Sequence, residues 1–416
     1  LSLDENNIDA LLLLGGLYAA VHETQKAIGM YERVLSLDPG KNDVYLFLSD
    51  LYAEGGEIDR GIEILEALLE REPGSMQARY FLGRRYQQKG DLDRAEAYFR
   101  EALDLDPDFR LALIHLALVL ERKEQFAQAA EIYERVLDLY PYNPKLRSHL
   151  VRLYLRMNDP ERAQEQNDAF ERFSDDMEEA ATNRGLIFLE QKKFDQAIEE
   201  FSRLVSIAPV NDQARYYLAT AYLEQGDLEQ AEYHLRQIPE DSDFFVQRTI
   251  YLAYIYSNRK EMDRVFALLE EAIERYPEEI ELYRYLASHY EFAGRYEDAV
   301  AVLERAISHA PKDAQLYYAL GVVYDKMGRT TEGIATMRRV LELDPNHVEA
   351  LNFIGYTYAE RGENLEEAER LVKRALTLKP DDGYITDSLG WIYYKKGAFA
   401  RAVELLERAN TLTPDD

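Results

Sequence analysis

Residues 91–107 read DLDRAEAYFREALDLDP, residues 193–209 read KFDQAIEEFSRLVSIAP, and residues 295–311 read RYEDAVAVLERAISHAP. All three stretches have an alanine at the fifth position and a proline at the end. Apolar side chains recur in each at helical spacing, and the proline ends the helix because the residue before it avoids helical angles. The sequence therefore predicts the same helix at three places, each time with the same end.

The prolines reveal a period of 34 residues. Pro39, Pro73, Pro107 and Pro141 follow one another at this distance, and one extra residue near Glu363 lengthens a later unit. A period of this length is typical of solenoid proteins. We therefore predict that residues 1–416 form a single array of about twelve repeats, which end near residues 39, 73, 107, 141, 175, 209, 243, 277, 311, 345, 380 and 414.

Each repeat contains two predicted helices. Glycines such as Gly90 and Gly226 separate them, because glycine adopts the left-handed backbone that ends a helix. A small residue occupies one place in the first helix and an alanine one place in the second, as Gly83 and Ala95 do, so that the two helices can cross closely. Three residues after the first small residue stands a tyrosine such as Tyr86, which we expect to fill the gap between neighbouring repeats.

This pattern resembles the tetratricopeptide repeat family: Leu-Gly-x-x-Tyr, then Ala, then an aromatic residue or leucine, then Pro, every 34 residues. The resemblance covers nearly the whole chain. It implies an all-α fold, a right-handed α-α superhelix of helix-turn-helix repeats whose first helices line an inner surface. Such surfaces bind segments of other proteins.

Two units depart from the pattern. Residues 144–175 lack the closing proline and carry Asn167 where a large apolar residue is expected. Residues 210–243 have their proline out of phase, at Pro239. We expect the geometry between repeats to relax at both places.

Composition excludes several classes of function. The 416 residues carry a net charge of −29, which argues against a nucleic-acid or anionic-membrane partner, since phosphate contacts need clustered Lys and Arg. The chain has no cysteine, so disulfides, thiolate catalysis and cysteine-based zinc sites are excluded. No apolar run reaches the roughly 18 residues that a membrane span needs.

Catalytic and metal-binding motifs are also missing from the sequence. It contains no phosphate-binding loop, no H-E-x-x-H and no calcium-loop pattern, and its seven histidines are scattered over different repeats. We therefore predict a non-enzymatic protein without a cofactor or a metal.

The predicted inner face is richer in aromatic residues and arginine than the net charge suggests. Aromatic side chains offer large contact areas with a polar tip, and arginine binds carboxylates and peptide carbonyls. The alternative interpretation is that these rings only pack within the superhelix. The candidate partner-binding residues are Tyr80, Arg84, Arg152, Tyr216, Tyr254, Arg284, Tyr318, Asn352, Tyr356, Trp391 and Tyr394.

The last two repeats carry a second resemblance. Gly-Tyr-x-x-Ala-Glu-Arg-Gly at 355–362 and Asp-Ser-Leu-Gly-Trp-x-Tyr-Tyr at 387–394 resemble the C-terminal repeats of proteobacterial envelope lipoproteins that act as adaptors, among them a type that partners a C-terminal processing protease. The resemblance implies a bacterial periplasmic or outer-membrane-anchored protein, with a lipid-anchor signal removed ahead of Leu1. The lack of cysteine fits the cytoplasm equally well.

Three functions stay open on this basis. The first is an adaptor that holds a protein or peptide partner in its groove. The second is a substrate-recruiting segment of a larger enzyme, such as a glycosyltransferase. The third is a structural subunit of a secretion or exopolysaccharide export assembly. The sequence leaves the oligomeric state undetermined.

Overall fold

A computed structural model describes residues 6–413, and these residues form 24 α-helices in twelve consecutive pairs, with no β-strand among them. The all-α prediction is confirmed. Helices α1–α12 make up one compact unit and α13–α24 another, with the boundary between Pro209 and Val210. We call them the first and the second unit and describe each by itself.

In the first unit, odd-numbered helices are the first of each pair and even-numbered helices the second. Their bounds are α1 Ile8–Ala20, α2 Thr24–Leu37, α3 Asn42–Glu54, α4 Ile58–Arg71, α5 Met76–Lys89, α6 Leu92–Leu105, α7 Arg110–Arg122, α8 Phe126–Leu139, α9 Pro144–Arg156, α10 Pro160–Phe173, α11 Met177–Glu190 and α12 Phe194–Ile207.

The second unit follows the same order. Its helices are α13 Asp212–Gln225, α14 Leu228–Leu235, α15 Phe245–Asn258, α16 Met262–Arg275, α17 Ile280–Phe292, α18 Tyr296–His309, α19 Ala314–Lys326, α20 Thr330–Leu343, α21 Val348–Arg361, α22 Leu365–Leu378, α23 Gly383–Lys395 and α24 Phe399–Leu412.

The prolines end the second helices as predicted. The three stretches quoted at the outset form α6, α12 and α18, and each helix stops two residues before its proline. At the end of α5 and α13, Gly90 and Gly226 have φ angles of 87° and 89°, in the left-handed region that glycine adopts without strain. The last predicted repeat end, at Pro414, lies outside the described residues.

The two irregular repeats depart from the regular pattern in different ways. In residues 144–175, both helices reach full length, and Asn167 is fully buried with its Nδ2 donating to Glu171 at 3.0 Å. In residues 210–243, α14 has only 8 residues, whereas the second helix of every other repeat has 14. The displaced Pro239 thus accompanies a shortened helix.

Close crossing within a repeat depends on the small residues. Ala95 on α6 is fully buried, and a Cβ atom built at Gly83 on α5 would lie 2.6 Å from Cε1 of Phe99. Real Cβ contacts are longer, so the ring of Phe99 occupies the space that an alanine at this position would need. The predicted role of the small residues is confirmed at this crossing.

A recurring polar contact joins neighbouring repeats. The tyrosine of a first helix donates its hydroxyl to a glutamate on the second helix of the preceding repeat, as Tyr154 does to Glu134 at 2.7 Å. An arginine of the tyrosine's own repeat stacks over the ring, with Arg162 Cζ 5.6 Å from the centroid of Tyr154. We call this arrangement the tyrosine clamp. It recurs with tyrosine and glutamate pairs Tyr52 and Glu32, Tyr86 and Glu66, Tyr256 and Glu232, Tyr324 and Glu304, and Tyr393 and Glu369.

Candidate functional site

The first helices of the second unit present a continuous face that carries three cavities. The largest, about 670 Å³, lies between α15 and α17. Aromatic and apolar side chains line much of it, and three of its rings are exposed to solvent: Tyr254, Tyr285 and Phe292, the last with 83% of its surface accessible. Burial lowers the pKa of His289, which lines the same cavity, so the imidazole favours its neutral form here.

Two further cavities continue along the same face. One of about 330 Å³ lies between α17 and α19, and one of about 400 Å³ lies beside α21 and the start of α23. Ser288 lines both the first and the second cavity, and Tyr318 lines both the second and the third. The three cavities therefore form one groove along α15, α17, α19, α21 and α23, which we call the second-unit groove.

Five of the predicted residues line this groove. Tyr254 lies in the first cavity, Arg284 and Tyr318 in the second, and Tyr318 again with Asn352 and Tyr356 in the third. Their spacing on successive first helices places them along one face, so the structure brings these five predicted residues together. The prediction that they bind a partner stays a prediction.

Their local contacts differ in kind. Arg284 forms an ion pair with Asp313 at 2.6 Å, and Tyr318 stacks on the ring of His347 with centroids 5.1 Å apart. The Oδ1 atom of Asn352 is buried and has no hydrogen-bond partner within the described part of the chain.

Trp391 and Tyr394, two further predicted residues, lie on α23, the last first helix of the second unit. Their rings stack with centroids 5.1 Å apart, and Tyr394 meets Phe399 edge-on at 5.7 Å. The ammonium of Lys395 lies 5.0 Å from the centroid of Trp391. The indole Nε1 is buried and, among residues 6–413, has no acceptor. Trp391 is half-buried and Tyr394 is 48% exposed, so only part of this ring pair faces solvent.

Tyr216, also in the second unit, is held by other rings. It stacks on Phe244 at 5.1 Å and on Tyr251 at 5.5 Å, and it is half-buried. Burial and the hydrogen bond with Tyr251 raise the pKa of Tyr216 well above its usual value. Both faces of the ring are therefore largely committed to packing.

The predicted residues of the first unit have partners of their own. Tyr80 is only 6% exposed and packs against Phe99, Phe109 and His115. Such burial agrees with the alternative interpretation, in which the ring packs within the fold and does not contact a partner.

The two predicted arginines of the first unit are ion-paired. Arg84 lies 3.5 Å from Asp50, and Arg152 donates to Glu179 at 2.8 Å. Their carboxylate partners belong to neighbouring repeats, so these contacts also connect repeats. About half of the Arg152 side chain, 46%, stays accessible.

Sequence reasoning missed several groove residues. Tyr285 and Phe292 lie on α17 with the predicted Arg284, and both line the cavity between α15 and α17. A signal was present for Phe292, because it follows the predicted Arg284 by eight residues, a spacing that keeps both side chains on one broad face of the helix.

Burial and nearby carboxylates raise the pKa values of Asp325 on α19 and Tyr356 on α21. Burial, followed by the charge of Glu360, raises the pKa of Asp325. Burial is also the first cause of the raised pKa of Tyr356, and the charges of Glu360, Asp387 and Asp325 add to it.

The described residues show neither a metal-binding cluster nor a membrane-spanning helix. Among residues 6–413, no group of three or more histidine, aspartate or glutamate side chains is placed to hold a metal ion. None of the described helices is long and apolar enough to cross a membrane.

Models of known protein families match much of this chain. One model described as tetratricopeptide repeat matches residues 48–108, 80–144, 150–212 and 362–416, which is more than half of the chain. A second model of the same description matches residues 120–170, 188–244, 259–321 and 292–355, and a third matches residues 10–45. No curated protein sequence matches the chain.

Solved structures resemble the chain in fold. A tetratricopeptide repeat protein from Parabacteroides merdae aligns with 16% identity and a TM-score of 0.51, over 59% of this chain and 97% of its own. Yeast Tom70 aligns with 16% identity and a TM-score of 0.48, over 98% of this chain and 96% of its own. With its twelve helix pairs and the extent of the family match, the chain belongs to the tetratricopeptide repeat family.

Proposed function

We propose that this protein is a non-enzymatic scaffold that binds a segment of a partner protein in the second-unit groove. The observation that carries this proposal is the continuity of the three cavities, together with the exposed rings that line them. Tyrosine and other aromatic residues are enriched where proteins bind one another, because they bury much apolar area while keeping a polar tip.

The shape of the groove favours a polypeptide over a small molecule. Small-molecule sites are concave and bury most of one compact ligand. This groove instead runs across five first helices, a length that suits an extended chain with several side chains.

We also propose that the protein is an adaptor in the bacterial cell envelope. A C-terminal processing protease is one candidate client. The support is the sequence resemblance of residues 355–362 and 387–394 to envelope lipoproteins. Fractionation of the native host tests this proposal. Recovery with the envelope fraction is expected, and recovery with the cytosol would contradict it.

Affinity capture with matched variants tests the groove. The full chain is immobilised beside a groove variant, Tyr254→Ala with Tyr356→Ala, and beside a control variant, Tyr233→Ala, which removes a ring that is 59% exposed on a second helix. A client retained by the native chain and the control, and lost by the groove variant at unchanged helicity, is the expected result. Hydrogen exchange of the complex should then show protection on α15–α23.

Equal capture of every client by all three proteins would contradict the proposal. The binding surface would then lie outside the second-unit groove, and the exposed rings of the groove would have no role in recognition.

A further inference from the structure

We propose that the first unit carries a second binding surface, which recognises an acidic segment of a partner protein. It lies where successive repeats connect, at the turns between α6 and α7, α8 and α9, and α10 and α11. Exposed rings and exposed cations share this surface, which we call the basic aromatic patch. Its rings are Tyr140, Tyr142 and Phe173, and its cations are Arg110, Lys145 and Arg172.

The rings of the patch are open to solvent. Tyr142 is 82% exposed, Tyr140 is 43% exposed and Phe173 is 40% exposed. Tyr142 meets Phe173 edge-on with centroids 5.2 Å apart, so rings from two successive turns touch each other. Exposed apolar side chains that lie together, unlike single ones, mark surfaces on which other proteins bind.

Arg147 on α9 connects these turns. Its Cζ lies 5.2 Å from the centroid of Phe173, and its Nη2 donates to the main-chain oxygen of Pro141 at 3.2 Å. In three other repeats, a tyrosine hydroxyl makes this bond to the proline. The pairs are Tyr45 and Pro39, Tyr283 and Pro277, and Tyr317 and Pro311. This repeat therefore has a positive charge where those repeats have a neutral hydroxyl.

The three exposed cations surround the rings. Arg110 is the first residue of α7, and its Cζ lies 5.1 Å from the centroid of Tyr140. Lys145 lies in the first turn of α9, and Arg172 directly precedes Phe173 at the end of α10. The patch thus gathers positive charge from three successive repeats.

Carboxylates of the chain do not neutralise these cations. Among residues 6–413, none of the three forms an ion pair. Of the carboxylates in the same turns, Asp108 pairs with Arg135, and Asp176 caps α11. Asp138 and Asp175, which flank the patch in the sequence, form no ion pair with the three cations in this part of the chain.

Charge complementarity therefore identifies the partner. Guanidinium and ammonium groups pair with carboxylates, and the neighbouring rings offer an apolar side chain a surface to pack on. Charges are screened over about 8 Å at physiological salt, so cations in direct contact outweigh the distant carboxylates that give the chain its net charge of −29. The same net charge disfavours a long polyanion such as nucleic acid, whose phosphates extend beyond the patch. The partner that fits is a short segment with acidic residues beside an aromatic or aliphatic residue.

Selection from a displayed library of random dodecapeptides tests the inference. The full chain is compared with a neutralised variant, Arg110→Gln with Lys145→Gln and Arg172→Gln, and with a ring variant, Tyr142→Ala. All four positions are exposed, so the variants leave the buried core unchanged.

A control variant loses the same charge at other places. It carries Lys41→Gln, Arg71→Gln and Lys192→Gln, which remove exposed cations of the first unit that form no ion pair within residues 6–413. Circular dichroism checks that all the proteins keep their helicity.

The expected clones from the native chain and the control carry acidic residues beside an aromatic or aliphatic residue. A synthetic peptide of the leading acidic clone should bind the neutralised variant about tenfold more weakly than the control, because three cations that face it are gone. This difference should shrink at high salt, whereas the weaker binding of the ring variant should persist.

Three outcomes would overturn the inference. Acidic clones that bind the neutralised variant as tightly as the control would place their site elsewhere, and a selection without acidic clones would show that the patch does not recognise them. A single-stranded oligonucleotide that binds the native chain at physiological salt, but not the neutralised variant, would make the patch a phosphate-binding surface instead. None of these outcomes concerns the second-unit groove, so the proposed function is tested separately.

Discussion

At the scale of single residues, the contact between Gly83 and Phe99 makes a sharp prediction. The Cβ of an alanine at position 83 would need space that the buried ring of Phe99 occupies. We expect Gly83→Ala to lower the free energy of unfolding of the first unit by about 1–3 kcal/mol, the usual cost of overpacking a core.

Gly29 provides the matched control. It also lies inside a helix, α2 of the same unit, but it is exposed and a Cβ there would meet nothing within 4 Å. Gly29→Ala should therefore raise the free energy of unfolding by about 0.5–1 kcal/mol, because alanine favours the helix. Urea titrations of both variants give the comparison, and a stabilising Gly83→Ala would refute the packing argument.

Single residues also show where sequence reasoning about the site stops. Tyr80 and Tyr254 both hold predicted inner-face positions, and both positions follow from the helical period. Tyr80 meets Phe109 and His115 of the next repeat and is buried, whereas Tyr254 faces an open cavity and is 54% exposed. The period fixes the direction of a side chain, but its exposure depends on the volume of the side chains that the adjacent repeat presents.

At the scale of helices and repeats, the tyrosine clamp connects a helix pair to the one before it at six places in the described part of the chain. In the clamp of Tyr52, the hydroxyl bonds Glu32, and Nη2 of Arg60 donates to the hydroxyl at 3.0 Å. The sequence predicted a ring between repeats, and Tyr52 is indeed only 4% exposed. The carboxylate partner was missed, because it lies on another repeat and the many glutamates of the chain give no means of choosing among them.

The tyrosine clamp predicts that removing one hydroxyl group lowers the free energy of unfolding. Tyr52→Phe keeps the buried ring but removes the hydroxyl, so we expect a loss of about 1 kcal/mol in the free energy of unfolding at neutral pH. Chemical denaturation of the native chain and the variant measures this difference. An unchanged midpoint would mean that the clamp adds no net stability.

The same hydroxyl predicts a dependence on alkaline pH. Burial, followed by the hydrogen bond with Glu32, raises the pKa of Tyr52 to about 12, whereas a tyrosine in an unfolded chain titrates near pH ~10. A pKa raised by folding means that this stabilisation is fully present below about pH 10 and is lost as the pH rises through about 12. Between about pH 9 and pH 11, the native chain should therefore lose more stability than Tyr52→Phe, which denaturation at both pH values will show.

The order of helices was largely predictable, and their lengths were less so. The period of 34 residues placed the helix ends because proline and glycine act locally on the backbone. Pro239 marked an irregular repeat, but neither the shortening of α14 to 8 residues nor the burial of Ile238 beyond the end of that helix, at 2% exposure, was predicted. Such packing is not visible in the spacing of the prolines.

At the scale of the whole molecule, the division at Pro209 and Val210 makes a prediction about folding units. Each unit has apolar clusters of its own, such as the one around Phe99 in the first unit and the one around Tyr283 in the second. Repeat arrays are stabilised mainly by contacts within a repeat and with its neighbours. We therefore expect residues 1–209 and residues 210–416 to fold as separate proteins.

Circular dichroism of the two fragments tests this expectation. Each should show a helical spectrum and a cooperative thermal transition, and their summed spectra should approach that of the full chain. A fragment that stays unfolded would show that its repeats depend on the other half of the chain.

The tyrosine clamp has a consequence for how the protein is made. Each clamp joins residues 20 to 24 positions apart in sequence, such as Glu134 and Tyr154, so its partners are synthesised in quick succession. A chain dominated by such local contacts has a low contact order and folds fast. Early repeats of this protein can therefore acquire their native contacts on the ribosome while later repeats are still being translated. Each new helix pair then packs against a repeat that is already folded.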